Sequence, residues 1–200
     1  MRKLILLVAV ILLPSLAAAA TPSEGIALTV RRGFFTETDV GGFMTLGGDN
    51  DYSNLQTYLQ LGIGYDVSQT IELGVHFGMG SNAANCFNGL KANGDCSATD
   101  NFTVTFVDFT AAYLFMLAER FYLDPKVAVG YTLLDPAPVV QGTGADATSI
   151  NAGVNVGVGV GLEYATSMDH FSIGLDVLGR YILGPNILSL QFFPRVKYTF

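Results

Sequence analysis

Tryptophan is absent, histidine and cysteine occur twice each, and charged side chains make up only 14% of the 200 residues. Basic residues are the scarcer sign, 10 Lys and Arg against 17 Asp and Glu, for a formal charge of −7. That balance excludes nucleic acid as a partner. No apolar run reaches the roughly 20 residues of a transmembrane helix, which excludes helical spans. Disorder is excluded by the wealth of aromatic and β-branched residues. What is present is half apolar, with 23 Gly and a mean hydropathy of +0.41. The chain is greasier than a soluble domain, yet its grease is distributed along it. A membrane β-barrel has that composition, because outward apolar residues alternate with inward polar ones.

Residues 1–20 read as a secretory signal peptide. Arg2 and Lys3 precede an unbroken apolar run from Leu4 to Leu13, Pro14 breaks it, and Ala17 to Ala20 supplies a small-residue cleavage site. No Cys follows that site, so nothing there is available for acylation. Residues 21–200 are then the mature barrel domain.

Period-two alternation runs through nearly all of it. Leu55, Leu59, Leu61, Ile63, Tyr65 and Val67 share one face, with Gln56, Tyr58, Gln60 and Asp66 on the other. Val154, Val156, Val158, Val160, Leu162 and Tyr164 oppose Gly153, Asn155, Gly157, Gly159, Gly161 and Glu163. Similar strands are expected over 71–79, 121–133, 171–181 and 188–200. Residues 102–117 change phase, which predicts a bulge near Val107 and Asp108. Residues 26–47 read as one long first strand or a strand with a lead-in. A soluble barrel would carry Lys, Glu and Thr outside; here the non-apolar face is mostly Gly, Asn and Ser, too small for a solvated exterior. Long and short connections alternate along the chain, except for a short last turn at 184–186. Seven connections give eight strands, an all-β, eight-stranded antiparallel up-and-down transmembrane barrel. Placing the short turns in the periplasm puts both termini there.

The last strand carries Phe192, Val196, Tyr198 and the terminal Phe200 in alternation. This ending resembles the assembly signal of bacterial outer-membrane β-barrels, which implies an outer-membrane location, contact with lipid and lipopolysaccharide, and reading by the barrel insertion machinery. Pro194 departs from the pattern and predicts a second bulge. The run Gly33 to Phe43, the run Tyr58 to Asp66 and the Asn85-Cys86 to Asp95-Cys96 loop resemble small barrels of myxobacteria. That group includes a barrel protein of the adventurous gliding machinery, so the resemblance implies other envelope or motility proteins as partners and no catalysis.

Chemistry-bearing residues are few. Cys86 and Cys96 lie in one long loop of an exported chain and read as a disulfide, worth about 2 to 3 kcal/mol in the chain-entropy model. With no His or further Cys nearby they make no metal site. Asp49-Asn50-Asp51 lacks the remaining ligands of a Ca²⁺ loop. Neither His76 nor His170 stands in a catalytic arrangement, so no enzyme, cofactor or metal is expected. The inward face carries Glu72, His76, Asp108, Asp124, Lys126, Glu163, Asp176, Arg180, Arg195 and Lys197, a polar network that must pair or be hydrated. Eight strands enclose an interior just wide enough to be filled. The many inward Gly leave both a plug and a narrow passive channel open; a lipid-modifying barrel enzyme is the remote third reading.

Overall fold

The computed structural model describes residues 33–46, 54–83, 101–135, 139–141, 148–168 and 170–200. The signal-peptide residues, Ile26 to Arg32, and both cysteines lie outside them. Among the described residues eleven strands follow in chain order: β1 (Phe34–Leu46), β2 (Asn54–Asp66), β3 (Ile71–Ala83), β4 (Asn101–Tyr113), β5 (Phe115–Ala118), β6 (Phe121–Asp135), β7 (Val139–Gln141), β8 (Thr148–Ser149), β9 (Ala152–Ala165), β10 (Phe171–Ile182) and β11 (Ile187–Thr199). β5 continues β4 past Leu114, and β7 and β8 pair only with each other. The other strands pair antiparallel in the order β4-β3-β2-β1-β11-β10-β9-β6, and β4 also pairs with β6. The sheet therefore closes on itself as an eight-stranded barrel with no free edge.

The turns explain the order. At 67–70 the Ser68 hydroxyl accepts from the backbone N–H of Thr70 at 3.2 Å and of Ile71 at 3.0 Å, holding β2 against β3. Between β5 and β6 the link is Glu119 and Arg120, with Arg120 at φ 68°. The β9–β10 turn ends on His170 at φ 78°, and the β10–β11 turn uses Gly184 at φ 96° and Asn186 at φ 56°. Main-chain bonds tie Asp66 to Gly33, Leu114 to Thr70, Ala165 to Arg120, Thr199 to His170 and Phe200 to Phe34. Three short turns and both ends of the described barrel thus share one rim.

Alternation sorts the side chains. The outward positions form an apolar belt, with Val158 67% exposed and Phe34 69% exposed. Aromatic pairs ring the short-turn rim: Phe34 with Tyr65, Tyr113 with Phe115, Phe121 with Tyr164, and Tyr198 with both Phe171 and Phe200.

Two expectations need correction. β4 has no bulge at Val107 and Asp108: its registers with β3 and β6 run without a shift across that point. Val104 and Phe106 therefore point inward, fully buried, and join an apolar cluster inside the barrel with Phe43, Tyr58, Leu134, Leu178, Ile182, Ile187 and Phe193. The apparent phase change arose because both faces of this stretch are apolar. The first strand as described is β1, from Phe34; residues 26–32 of the expected 26–47 segment lie outside the described residues. Pro194 produces no bulge either; it stays in register with Leu175 of β10. On its other side, β1 and β11 keep one register from Asp39↔Arg195 to Gly42↔Phe192, but pairing lapses at Val40 and Gly41. Proline has no N–H to give there.

Candidate functional site

Among the described residues, polar chemistry collects in the interior. Buried carboxylates come from seven of the eight barrel strands: Glu37 and Asp39 on β1, Asp66 on β2, Glu72 on β3, Asp108 on β4, Asp124 on β6, Glu163 on β9 and Asp176 on β10. β11 supplies none and instead brings Arg195 and Lys197, with Arg180 from β10 and Lys126 from β6. Eight carboxylates thus face four permanent cations and His76.

Arg195 is the hub. Its Nη2 donates to Asp124 Oδ2 and to Glu163 Oε2, both at 2.9 Å. Its Nε lies 3.4 Å from Asp176 Oδ2 and its Nη1 3.9 Å from Glu37 Oε2. A planar guanidinium presents five N–H groups in a fixed fork, so one side chain can address carboxylates on several strands. Lys126 bridges the same acids, with Nζ 2.6 Å from Asp176 Oδ1 and 3.1 Å from Asp124 Oδ2.

Smaller groupings surround the hub. Lys197 pairs with Glu72 and, at 3.2 Å, with Asp66, while its Nζ sits 4.2 Å from the Phe35 ring centroid. Arg180 pairs with Asp108 and lies 4.0 Å over the Phe106 ring. Asn155 Nδ2 donates to Asp108 Oδ1 at 2.9 Å and to Thr132 Oγ1 at 3.0 Å. Gln60 links Asp39, at 2.6 Å, to the hydroxyl of Tyr58. His76 joins Glu37 through Nε2 and Thr110 through Nδ1, the latter at 3.1 Å.

That last line of hydroxyl, imidazole and carboxylate has the composition of a nucleophile relay. Its surroundings are those of a packed core. His76 and Glu37 are buried, and a methyl group added at Gly62 would overlap both side chains. His170 sits at the short-turn rim instead, its Nδ1 donating to the Thr199 carbonyl at 2.7 Å. Among the described residues no cluster of three or more His, Cys, Asp or Glu is arranged to hold a metal ion.

The inward glycines are where large neighbours lodge. A Cβ at Gly161 would lie 2.0 Å from Asp176 Oδ1 and 2.2 Å from Asp124 Oδ1. Gly64 makes room for the Phe35 ring, Gly78 for Tyr58 and Gly130 for Asp108. The space that glycine frees is taken by acids and rings from the next strand. This is the physical difference between a Gly-rich lumen that is empty and one that is filled.

Every residue singled out in sequence for the polar network (Glu72, His76, Asp124, Lys126, Glu163, Asp176, Arg180 and Arg195) faces this lumen. Phe192, Val196, Tyr198 and Phe200 lie on the outer face of β11 and just beyond it. Sequence reasoning missed Glu37 and Asp39. They sit at alternate positions of β1, and the expectation of a strand from residue 26 obscured their phase.

No protein-family model and no curated protein sequence matches the chain. Solved structures do. Neisserial surface protein A superposes with a TM-score of 0.65 at 14% identity, over 84% of this chain and 97% of that one. Ail, the attachment invasion locus protein of Yersinia pestis, gives 0.52 at 12%, over 84% and 99%. At such identities the likeness concerns the fold, that of a small bacterial outer-membrane eight-stranded barrel.

Proposed function

We propose that this chain is a non-enzymatic component of the bacterial outer membrane, a structural or interaction element with both termini in the periplasm. One observation carries the reading: buried side chains from all eight strands, many of them tied by ion pairs and hydrogen bonds around Arg195, pack the described lumen, while the outer face is an apolar belt. A barrel so packed leaves its outer wall and its rims as the surfaces on which it works. The short-turn rim, with its aromatic ring, is the periplasmic one, because short turns are periplasmic in such barrels. The disulfide expected between Cys86 and Cys96 falls in the segment between β3 and β4, outside the described residues. The terminal Phe200 and the outward row above it serve the insertion machinery, and the belt meets lipid and lipopolysaccharide. The resemblance to myxobacterial barrels makes surface gliding the first process to examine.

The test is deletion of the gene, followed by cross-linking of the restored protein in its native envelope. Altered surface movement, adhesion or partner assembly is the expected result. An unchanged phenotype with no captured envelope partner would refute the reading.

A second reading, a narrow cation-selective channel, draws on the surplus of carboxylates over cations in the lumen. Planar bilayers separate the two. Steady cation-selective conductance supports the channel, and silence supports the filled barrel.

A further inference from the structure

The lumen changes character along its length. Asp66 ends β2, Glu72 stands beside the start of β3, and Glu163 and Lys197 lie near the ends of β9 and β11, so ion pairs gather toward the short-turn rim. Farther from that rim, four rings cross the bore. Phe43 on β1, Tyr58 on β2, Phe106 on β4 and Phe193 on β11 are all buried. The Tyr58 centroid lies 5.5 Å from that of Phe193 and 6.2 Å from those of Phe43 and Phe106, and Phe43 lies 5.3 Å from Phe106. β3 makes room for them with glycine: a Cβ at Gly78 would lie 2.6 Å from the Tyr58 hydroxyl, and one at Gly80 3.6 Å from the Phe43 ring. Ala128 of β6 and Leu178 of β10, lodged against Gly159 of β9, belong to the same buried cluster. Every strand of the barrel thus contributes to this plug or accommodates it.

The wall beside the rings is not apolar. Gln56 and Gln191 flank Phe43 on its rung, from β2 and β11. Both are buried, as is Thr45 on β1, and among the described residues none of their side-chain polar atoms has a hydrogen-bond partner. Buried amides are ordinarily satisfied. On the facing wall Asn155 donates to Asp108 and Thr132, while Arg180, paired with Asp108, lies 4.0 Å over the Phe106 ring. Polar groups therefore line the bore from the short-turn rim to beyond the rings. The apolar cluster built on the rings is what interrupts them.

We infer that this aromatic plug, and not the ion-pair network around Arg195, is the barrier that closes the lumen to ions, and that the pathway it closes suits monovalent cations. This rests on the reading of the lumen as filled and names the part of the filling that stops ions. A narrow apolar constriction blocks conduction by dewetting, whereas a polar wall holds water and ions. The sign follows from the charges below the plug. Eight buried carboxylates face four permanent cations and His76, and a lining with surplus carboxylates favours positive ions. Arg180 brings no net charge to the rings, because Asp108 meets it. With Phe43 and Phe106 cut back, the unpartnered amides of Gln56 and Gln191 become the wall of the passage.

The experiment is current recording from the full-length protein in planar phosphatidylcholine bilayers with a potassium chloride gradient. Wild type should be silent. F43A/F106A should pass a mean current about tenfold or more above wild type, with a reversal potential of the sign potassium sets. F43Q/F106Q wets the same point while opening a smaller cavity, and it should conduct as well. Gel migration of unheated against boiled samples establishes that each variant has folded. F77A/F192A trims two rings from the outer belt instead and should stay silent; current there would be a leak of trimmed barrels and overturn the assignment. R195M leaves the plug intact, so conductance in R195M would make the ion-pair network the barrier and overturn it too. Silence in both folded plug variants, or an anion-selective current, overturns the proposal and leaves the filled-barrel reading standing. Steady wild-type conductance overturns both.

Discussion

Replacing Arg195 with Met is the sharpest test of how this barrel is held together. The substitution keeps much of the side-chain length and removes the cation that meets Asp124 and Glu163 at 2.9 Å and Asp176 at 3.4 Å. Lys126 remains, but it already serves Asp124 and Asp176, so Glu163 loses the cation nearest it. Removing one partner of a buried pair typically costs about 3 to 5 kcal/mol, because the other charge is left uncompensated. The side chains involved are at most 7% exposed, so solvent offers little rescue. We expect R195M to lose about 3 to 5 kcal/mol of unfolding free energy. The measurement is reversible urea unfolding in detergent micelles or vesicles, followed by intrinsic tyrosine fluorescence and gel migration. Adding Glu163→Gln to R195M should recover part of the loss, since it removes the stranded charge. A loss below about 1 kcal/mol, or no recovery in the double variant, would show that the hub does not organise the lumen.

Three further outcomes test the packing. Gly161→Ala places a methyl about 2 Å from two carboxylate oxygens and should cost about 1 to 3 kcal/mol, whereas Gly179→Ala, whose nearest neighbour is the Val158 carbonyl at 3.8 Å, should be tolerated; equal unfolding midpoints would refute the filled lumen. Val158→Lys sets a charge in the apolar belt and should cost about 2 to 4 kcal/mol, against about 0 to 1 for Phe34→Lys at the rim; the same assay in vesicles reads the difference, and equal costs would displace the membrane from this belt. Gln191 is fully buried and its amide has no hydrogen-bond partner among the described residues. Gln191→Leu should therefore be neutral or stabilising by about 1 to 3 kcal/mol, and marked destabilisation would reveal a partner for that amide.

Much of the barrel was legible because alternation and turn chemistry are local. Val154 to Tyr164 reads outward at every second residue whatever lies beside it. Gly184 and Asn186 mark their turn by the positive φ it needs. Where both faces of a strand are apolar, as at Val104, Phe106, Val107 and Phe109, period two loses its contrast and a straight strand reads as bulged. Pro194 misled in a related way: the residue predicts a lost hydrogen bond, but only the neighbouring strands decide whether the ladder shifts or merely skips.

By itself the sequence determined that this is a closed antiparallel barrel of eight strands with a greasy exterior, since composition, period and connection lengths are properties of the chain in order. The tertiary structure alone decided what fills it. Arg195 meets Glu163 and Asp124 from 32 and 71 residues away, and Lys197 meets Asp66 across 131. Those partnerships depend on closure and stagger, which bring β11 beside β1 and its cations across from acids on distant strands. Whether a glycine leaves a hole or a berth is decided the same way, by the side chain that the next strand presents at that height.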